Sequence, residues 1–415
     1  MSKRRVVVTG MGAVTPIGNT VPDLWKSLIA GASGIGPITY FDPGAYDCQI
    51  AGQIKDFDPI LFLGKKEVKH TEKFVHYAMA ASAEAMAQAG LGEQTGEEAN
   101  RFGVLIGSGI GSLRIIEEQH EVLLQRGPGK LRPFLIPMLI VNEASGHVSM
   151  RYQLKGPNSC VATACATGNH AIGDAVRIIQ YGDADAMIAG GTEGAITTLG
   201  IGGFCALKSL SRRNHEPERA SRPFDAERDG FVMGEGAGVV ILEELGHARR
   251  RGASIIAEVG GFGMSGDAYH ITAPDPTGDG CVRAMGAALR DAGMVPKDID
   301  YVNAHGTSTM LNDKIETLAI KKTFGDHARK TAISSTKSMM GHLLGAAGGV
   351  EFIVCCLAMQ HGIVPPTINL ENKDPECDLD YTPNEARSVR VRAAISNALG
   401  FGGHNATVVV KEFKD

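Results

Sequence analysis

The first residue pattern that invites chemistry is a cysteine set among small side chains. Ser159–His170 reads Ser-Cys-Val-Ala-Thr-Ala-Cys-Ala-Thr-Gly-Asn-His, and a helical pattern over Ala171–Tyr181 follows it. Small neighbours let the backbone turn sharply at Cys165 and leave room for a substrate beside the sulfur. A thiol at the first turn of a helix faces unpaired N–H groups and the positive end of the dipole. Both favour the thiolate, which is the nucleophilic form. The spacing matches a nucleophile elbow, a reactive side chain on a tight strand-to-helix turn. A cysteine taken alone is more often a buried, inert hydrophobe. Three later motifs change that reading here.

Asn303-Ala304-His305-Gly306-Thr307-Ser308-Thr309 follows a short apolar strand, which places His305 where a substrate can approach. Taken alone, a histidine there is more often structural. Asp313 and Glu316 are placed to order this loop by accepting from its backbone. Ser334–His342 then carries Lys337 and His342 between a strand and an apolar helix. A buried lysine needs a partner, and Glu351 is the candidate. Near a helix start His342 stays neutral, because the dipole opposes its charge, and a neutral imidazole still donates one hydrogen bond. Asn397–Asn405 sets Gly400, Gly402 and Gly403 around Phe401, either a plain glycine turn or a gate whose Phe401 N–H joins an oxyanion hole. Gly107-Ser108-Gly109-Ile110-Gly111 brings its third glycine one residue too early for a dinucleotide fingerprint. It reads better as a tight turn that points Ile110 into a pocket.

Elements must hold these groups together. With 415 residues, 43% hydrophobic and 21% charged, the chain is globular and too long for one ordinary core. Short apolar strands are expected at Arg5–Thr9, Arg101–Ile106, Asp185–Ala189, Ala237–Leu242, Ser254–Val259, Asp300–Asn303, Thr331–Ser335, Ala393–Ser396 and Ala406–Lys411. Helical periodicity marks Asp23–Ala30, Lys66–Ala89, Leu113–Arg126, Val282–Ala292, Lys314–Thr323 and Gly345–Gln360, with loops over Gly127–Pro137 and Ala220–Gly238. Strands alternating with helices imply α/β layers. No repeat is evident by eye, and a change of unit falls near Gly252. The eight cysteines include no CxxC pair, so no structural zinc is expected, and reduced thiols fit a cytosol-like compartment. A net charge of −5 gives no sign of nucleic acid. No signal peptide or membrane-spanning run is expected.

Together, Cys165 in Thr-Ala-Cys, His305 in His-Gly-Thr-Ser-Thr, Lys337 and His342 in Thr-Lys-Ser-Met-Met-Gly-His, and Gly-Phe-Gly-Gly resemble the β-ketoacyl-[acyl carrier protein] synthases. The likeness is nearest to the elongating branch and runs over essentially the whole chain. The resemblance implies a thiolase-like, five-layered αβαβα fold of two similar halves, here 1–252 and 253–415, usually in a homodimer. It implies a decarboxylative Claisen condensation: Cys165 carries the acyl group, the N–H groups of Cys165 and Phe401 hold the oxyanion, and His305 and His342 stabilise the malonyl-derived enolate. Lys337 acts through its charge with Glu351 in support, as Asp313 supports the His305 loop. Thr307 and Thr309 resemble pantetheine-binding hydroxyls, and Ile110 and Phe204 would line the acyl pocket. No metal or resident cofactor is required, and acyl carrier protein is the partner. By position, Lys65, Lys66, Lys69, Lys130, Arg132, Lys208 and Arg213 are the candidates to dock that acidic carrier. The chain departs from the family at Met310, often Pro, and His404, often Thr. A polyketide or type I ketosynthase of the same fold is the rival enzyme, and a non-catalytic chain-length partner is the rival of another class.

Overall fold

The computed structural model describes residues 3–415. Ten strands dominate it: β1 (Val6–Val14), β2 (Phe102–Gly107), β3 (Asn158–Ser159), β4 (Ala186–Glu193), β5 (Gly236–Glu244), β6 (Ala257–Gly266), β7 (Tyr301–Asn303), β8 (Ala332–Ser334), β9 (Ala393–Gly400) and β10 (His404–Lys411). They run in the order β8-β7-β9-β10-β6-β1-β5-β4-β2-β3. The order β1-β5-β4-β2-β3 in the first half returns as β6-β10-β9-β7-β8 in the second. In each half the first two pairings are antiparallel and the last two parallel. The chain is therefore one topology used twice, joined where Val6–Val8 pairs with Ala257–Val259. Little of the sequence repeats with it beyond glycines at close approaches: Gly10 and Gly12 of β1 lie against the Ala85 and Ala81 carbonyls as Gly261 and Gly263 of β6 lie against those of Ala288 and Ala284.

Five helices complete the layers: α1 (Lys73–Gln88), α2 (Thr167–Tyr181), α3 (Asp279–Ala292), α4 (Met310–Phe324) and α5 (Ala347–His361). α1 lies on β1, β5 and β4, while α3 covers β6 and β10 and touches α4, whose Ala319 and Ile320 share an apolar cluster with Val302 of β7 and Ile333 of β8. α2 and α5 touch each other and strands of both halves, so they form the middle layer. A helix apolar all round belongs in such a place, and α5 is buried from Ala347 through Ala358. Among the described residues, Leu344–His361 is the one stretch that length and composition alone would let cross a membrane. It is the core of the fold instead, with 83% of it buried. The middle helices approach closely: a Cβ at Gly168 would stand 2.5 Å from the Gly349 nitrogen.

Some elements differ from the sequence reading. The helix expected over Lys66–Ala89 breaks, because Glu72 is extended and its carboxylate is held by Arg114 at 2.6 Å and Ser112 at 3.0 Å. The strand expected at Ser254–Val259 runs instead over Ala257–Gly266, through glycines that blur the strand pattern. The loop expected at Gly127–Pro137 gives way to a short helix at Leu135–Leu139.

Candidate active site

β3 leads into a 3-10 turn, Ala164–Ala166, that delivers Cys165 to the start of α2. Ala164 has φ +49°, a left-handed conformation uncommon outside glycine. Thr167 holds the turn, accepting from Thr163 N at 2.9 Å and donating to the Ala164 carbonyl at 2.7 Å. β9 ends against this elbow. A Cβ at Gly400 would lie 2.6 Å from the Thr163 oxygen, so glycine is needed there. That approach brings the Phe401 N–H, with the N–H of Cys165 itself, onto the Cys165 sulfur. Two backbone donors converging beside a nucleophile are positioned to hold a developing oxyanion.

The pull of the helix start toward a thiolate is opposed by burial. Burial pushes the Cys165 thiol up to about 12, against the lowering pull of Lys337 and the two amides. Desolvation outweighs the helix end here, as it does for thiols in apolar surroundings. The ionised fraction of such a thiol grows about tenfold per pH unit below its pKa. Iodoacetamide labelling of Cys165 is therefore expected to accelerate by that factor per unit from about pH 7 to about pH 10. A plateau within that range, read by peptide mass mapping, would restore the thiolate reading.

The two histidines come from the second half. Glu316 holds the His305 and Gly306 amides at 2.8 Å each, and Asp313 accepts from Thr307 N at 3.0 Å and Phe224 N at 2.8 Å. His342 is pinned to the first half's loop, donating its N–H to the Val232 carbonyl at 2.7 Å. The two rings stand 5.2 Å apart and nearly perpendicular. Burial, then the Lys337 charge, drives both imidazoles well below their usual range, so both are neutral. Burial is the leading reason that His342 is neutral. Leu344 N donates to His342 Nδ1 at 3.3 Å, which puts the single proton on Nε2. That Nε2, and Nδ1 of His305, are buried without a partner among the described residues. Leaving a buried polar atom unpaired is costly, and both rings line one cavity.

Lys337 is 1% exposed and ion-paired with Glu351 as expected. Its charge acts on Cys165, His305 and His342 together. Burial still raises the Glu351 and Glu316 carboxyls to about 7, although Lys337 lowers both.

A cavity of about 350 Å³ opens over these groups, lined by Cys165, His305, His342, Phe204, Phe401, Thr307 and Thr309 among others. The hydroxyls of Thr307 and Thr309 are 3.0 Å apart. Phe401 is half-buried against Phe204, with ring centroids 6.4 Å apart. Ile110 does not line this cavity; it packs with Cys165, Phe204 and Leu344 in the adjoining apolar cluster. Met310 sits at the mouth, 53% exposed, and exposed His404 faces the His170 ring. Both departures from the family thus lie beside the reacting groups and not among them.

Of the docking candidates, Lys65, Lys66, Lys69, Lys130, Arg132 and Lys208 are exposed. Lys208 is at the cavity mouth, and Lys69 and Arg132 border one surface groove. Arg213 is different. Its guanidinium turns inward to Glu216 and Glu227, which neutralise it locally. Sequence reasoning missed Arg228, whose side chain fixes the Thr309 and Met310 carbonyls at 3.1 Å each and pairs with Asp374 at 2.6 Å. It lies in a charged loop that gave no sign of being buried. Glu193 was also missed; a carboxylate closing an apolar strand among glycines was the available signal.

Comparison with known proteins agrees with this geometry. The β-ketoacyl synthase N-terminal domain matches residues 3–248 and the C-terminal domain matches 256–371. The chain is 56% identical over 415 residues to 3-oxoacyl-[acyl-carrier-protein] synthase 2 of Coxiella burnetii, covering 100% of both. It is 53% identical to the protein of that name in Synechocystis, covering 100% of this chain and 99% of the relative. Among solved structures, a β-ketoacyl synthase from Burkholderia phymatum superposes with TM-score 0.91 at 36% identity, over 99% of this chain and 100% of that one. A type II polyketide ketosynthase, solved in complex with its acyl-carrier protein, gives TM-score 0.91 at 34% identity, with 100% of both chains covered. Duplicated thiolase-like architecture, both domain matches and full-length relatives above half identity lead to one conclusion: the chain belongs to the β-ketoacyl synthase family.

Proposed function

We propose that this protein condenses an acyl group with malonyl-[acyl carrier protein], releasing carbon dioxide and 3-oxoacyl-[acyl carrier protein], as the elongation step of fatty acid synthesis. The observation that carries the reading is the shared cavity. In it a sulfur beneath two backbone N–H groups meets two neutral imidazoles with unpaired nitrogens. Cys165 attacks an acyl thioester, the amides of Cys165 and Phe401 hold the tetrahedral oxyanion, and the proton of the thiol leaves with the carrier's sulfur. The acyl chain remains on Cys165, so the kinetics are ping-pong. Malonyl carrier enters next. Its carboxylate departs as carbon dioxide, and the electron pair left behind becomes an enolate on the remaining thioester. His305 and His342 donate to that oxygen. The enolate carbon attacks the acyl-Cys165 carbonyl, and the released sulfur takes up one proton.

Lys337 contributes field, not proton transfer, since Glu351 holds its ammonium. Thr307 and Thr309 flank the path of a pantetheine arm, and Phe401 gates it. The driving group is the substrate's own carboxylate, so we assign no metal or resident cofactor. Residues 1–252 supply the nucleophile and 253–415 supply both histidines. A homodimer in the cytoplasm, served by an acidic carrier that docks on the exposed lysines and Arg132, completes the proposal. A non-catalytic chain-length role is disfavoured by the complete elbow at Cys165.

The test is direct assay with acyl and malonyl carriers, following 3-oxoacyl product and carbon dioxide. His342→Ala is expected to lower malonyl decarboxylation about 10²–10³-fold, the cost of one oxyanion donor. Acylation of Cys165 should be far less affected. Equal loss of both half-reactions would remove the division of labour between sulfur and imidazoles.

A further inference from the structure

The duplication places a second elbow opposite the first. Leu344–Ala346 is also a 3-10 turn, entered through a left-handed residue, Leu344 at φ +51° against Ala164 at +49°, and it also opens a 15-residue helix. Gly345 stands where Cys165 stands in its own half. The Cys165 amide faces the sulfur and cavity, whereas the Gly345 amide donates to Glu193 Oε2 at 3.0 Å. Glu193 closes β4 and is 0% exposed. Its Oε2 also accepts from Gly109 N at 3.0 Å and its Oε1 from Ser108 Oγ at 2.8 Å. The Ile110 amide adds a further donor. Ser108 Oγ in turn accepts from Gly111 N at 3.0 Å, which closes the turn. The fit leaves no slack, since a Cβ at Gly345 would lie 2.8 Å from Glu193 Oε2.

A wholly buried carboxylate thus fills the anion-binding face of the silent elbow, and every donor named is neutral. Neutral backbone donors offset desolvation less completely than a cation does, and burial raises this carboxyl to about 7. It ties Ser108–Ile110 of the first half to Leu344–Gly345 of the second. Ile110 and Leu344 are two of the apolar side chains clustered with Cys165.

We propose that Glu193 is a positioning residue that clamps the two halves at the acyl pocket, fixing Ile110 and Leu344 relative to Cys165 and so setting how well long acyl chains are accepted. The proposal rests on the reading of Cys165 as the acyl carrier. On this proposal the acyl chain runs from Cys165 toward this apolar cluster, and a short chain ends before it has used much of it. A long chain draws on it for each buried methylene and is sensitive to its placement.

The experiment measures Cys165 acylation by intact mass with one short and one long saturated acyl carrier, and malonyl decarboxylation separately, in the full chain and in Glu193→Ala and Glu193→Gln. The ratio of long-chain to short-chain acylation rates is expected to fall about tenfold in Glu193→Ala, the scale of a pocket misfit. In Glu193→Gln, whose amide oxygen can still accept from the backbone, it falls about threefold. Decarboxylation should stay within about twofold in both. An unchanged ratio in either folded variant overturns the proposal, and so does a common fall of acylation and decarboxylation, which marks general damage. Should Glu193→Ala not fold, Glu193→Gln decides alone. If the unaltered chain is not acylated on Cys165, the reading of the site fails first and takes this proposal with it, and that outcome is visible without any variant.

Discussion

Cys165→Gln is expected to abolish condensation and to leave the protein releasing carbon dioxide from malonyl carrier. Removing a catalytic nucleophile costs about 10⁴-fold or more where it has been measured, and among the described residues Cys165 is the one thiol lining the cavity. Cys355 and Cys356 are fully buried in the middle helix, and Cys160 donates to the carbonyls of Val141 and Val161. Decarboxylation asks nothing of the sulfur. It needs donors at the enolate oxygen, and His305 and His342 remain. A glutamine carbonyl at this position can also accept from the amides of residue 165 and Phe401, in place of the acyl thioester. Cys165→Ala, which fills neither space nor donors, should lose condensation as fully. Condensation surviving in the alanine variant, followed by product chromatography, would refute the nucleophile.

Lys337→Ala is expected to reduce both condensation and stability, and the two losses can be separated. The substitution leaves Glu351, 2% exposed, without its cation. Breaking a buried pair from one side costs about 3–5 kcal/mol, which should appear as a lower denaturant midpoint. It also removes the positive charge that lowers the Cys165 thiol and keeps both imidazoles neutral. Condensation should fall about 10²–10³-fold, the scale of one lost electrostatic stabiliser. Replacing both partners with neutral residues of similar shape, Lys337→Met with Glu351→Gln, should recover most of the stability. It should not recover the rate, because the field is still missing. A double variant that regains both would assign Lys337 to packing alone.

These expectations were legible in the sequence to different degrees. Strong punctuation gave the reacting groups away: small residues around Cys165, glycine after His305, and glycines around Phe401. The Lys337–Glu351 pair followed from the rule that a lysine inside an apolar stretch needs a counter-charge. The state of the thiol did not follow, because a helix start is visible in sequence and the depth of burial above it is not. Arg222 and Arg228 sit in a charged, glycine-rich loop that reads as solvated, yet each is at most 3% exposed. Their partners, Asp225, Asp313 and Asp374, come from three separate segments. The pairing of Arg213 with Glu216 and Glu227 was equally out of sight in the sequence. The twofold repeat of the fold is faint in the sequence because Cys165 in one copy corresponds to Gly345 in the other, and what the copies share is mainly small residues, such as Gly168 and Gly348 at the helix contact.

The most direct test of the whole reading is the mass of the intact protein after incubation with acyl carrier alone, followed by peptide mapping. A single acyl adduct on Cys165, discharged on addition of malonyl carrier with release of 3-oxoacyl product, is the predicted result. An adduct on any other residue, or product formation with Cys165 never acylated, would contradict it.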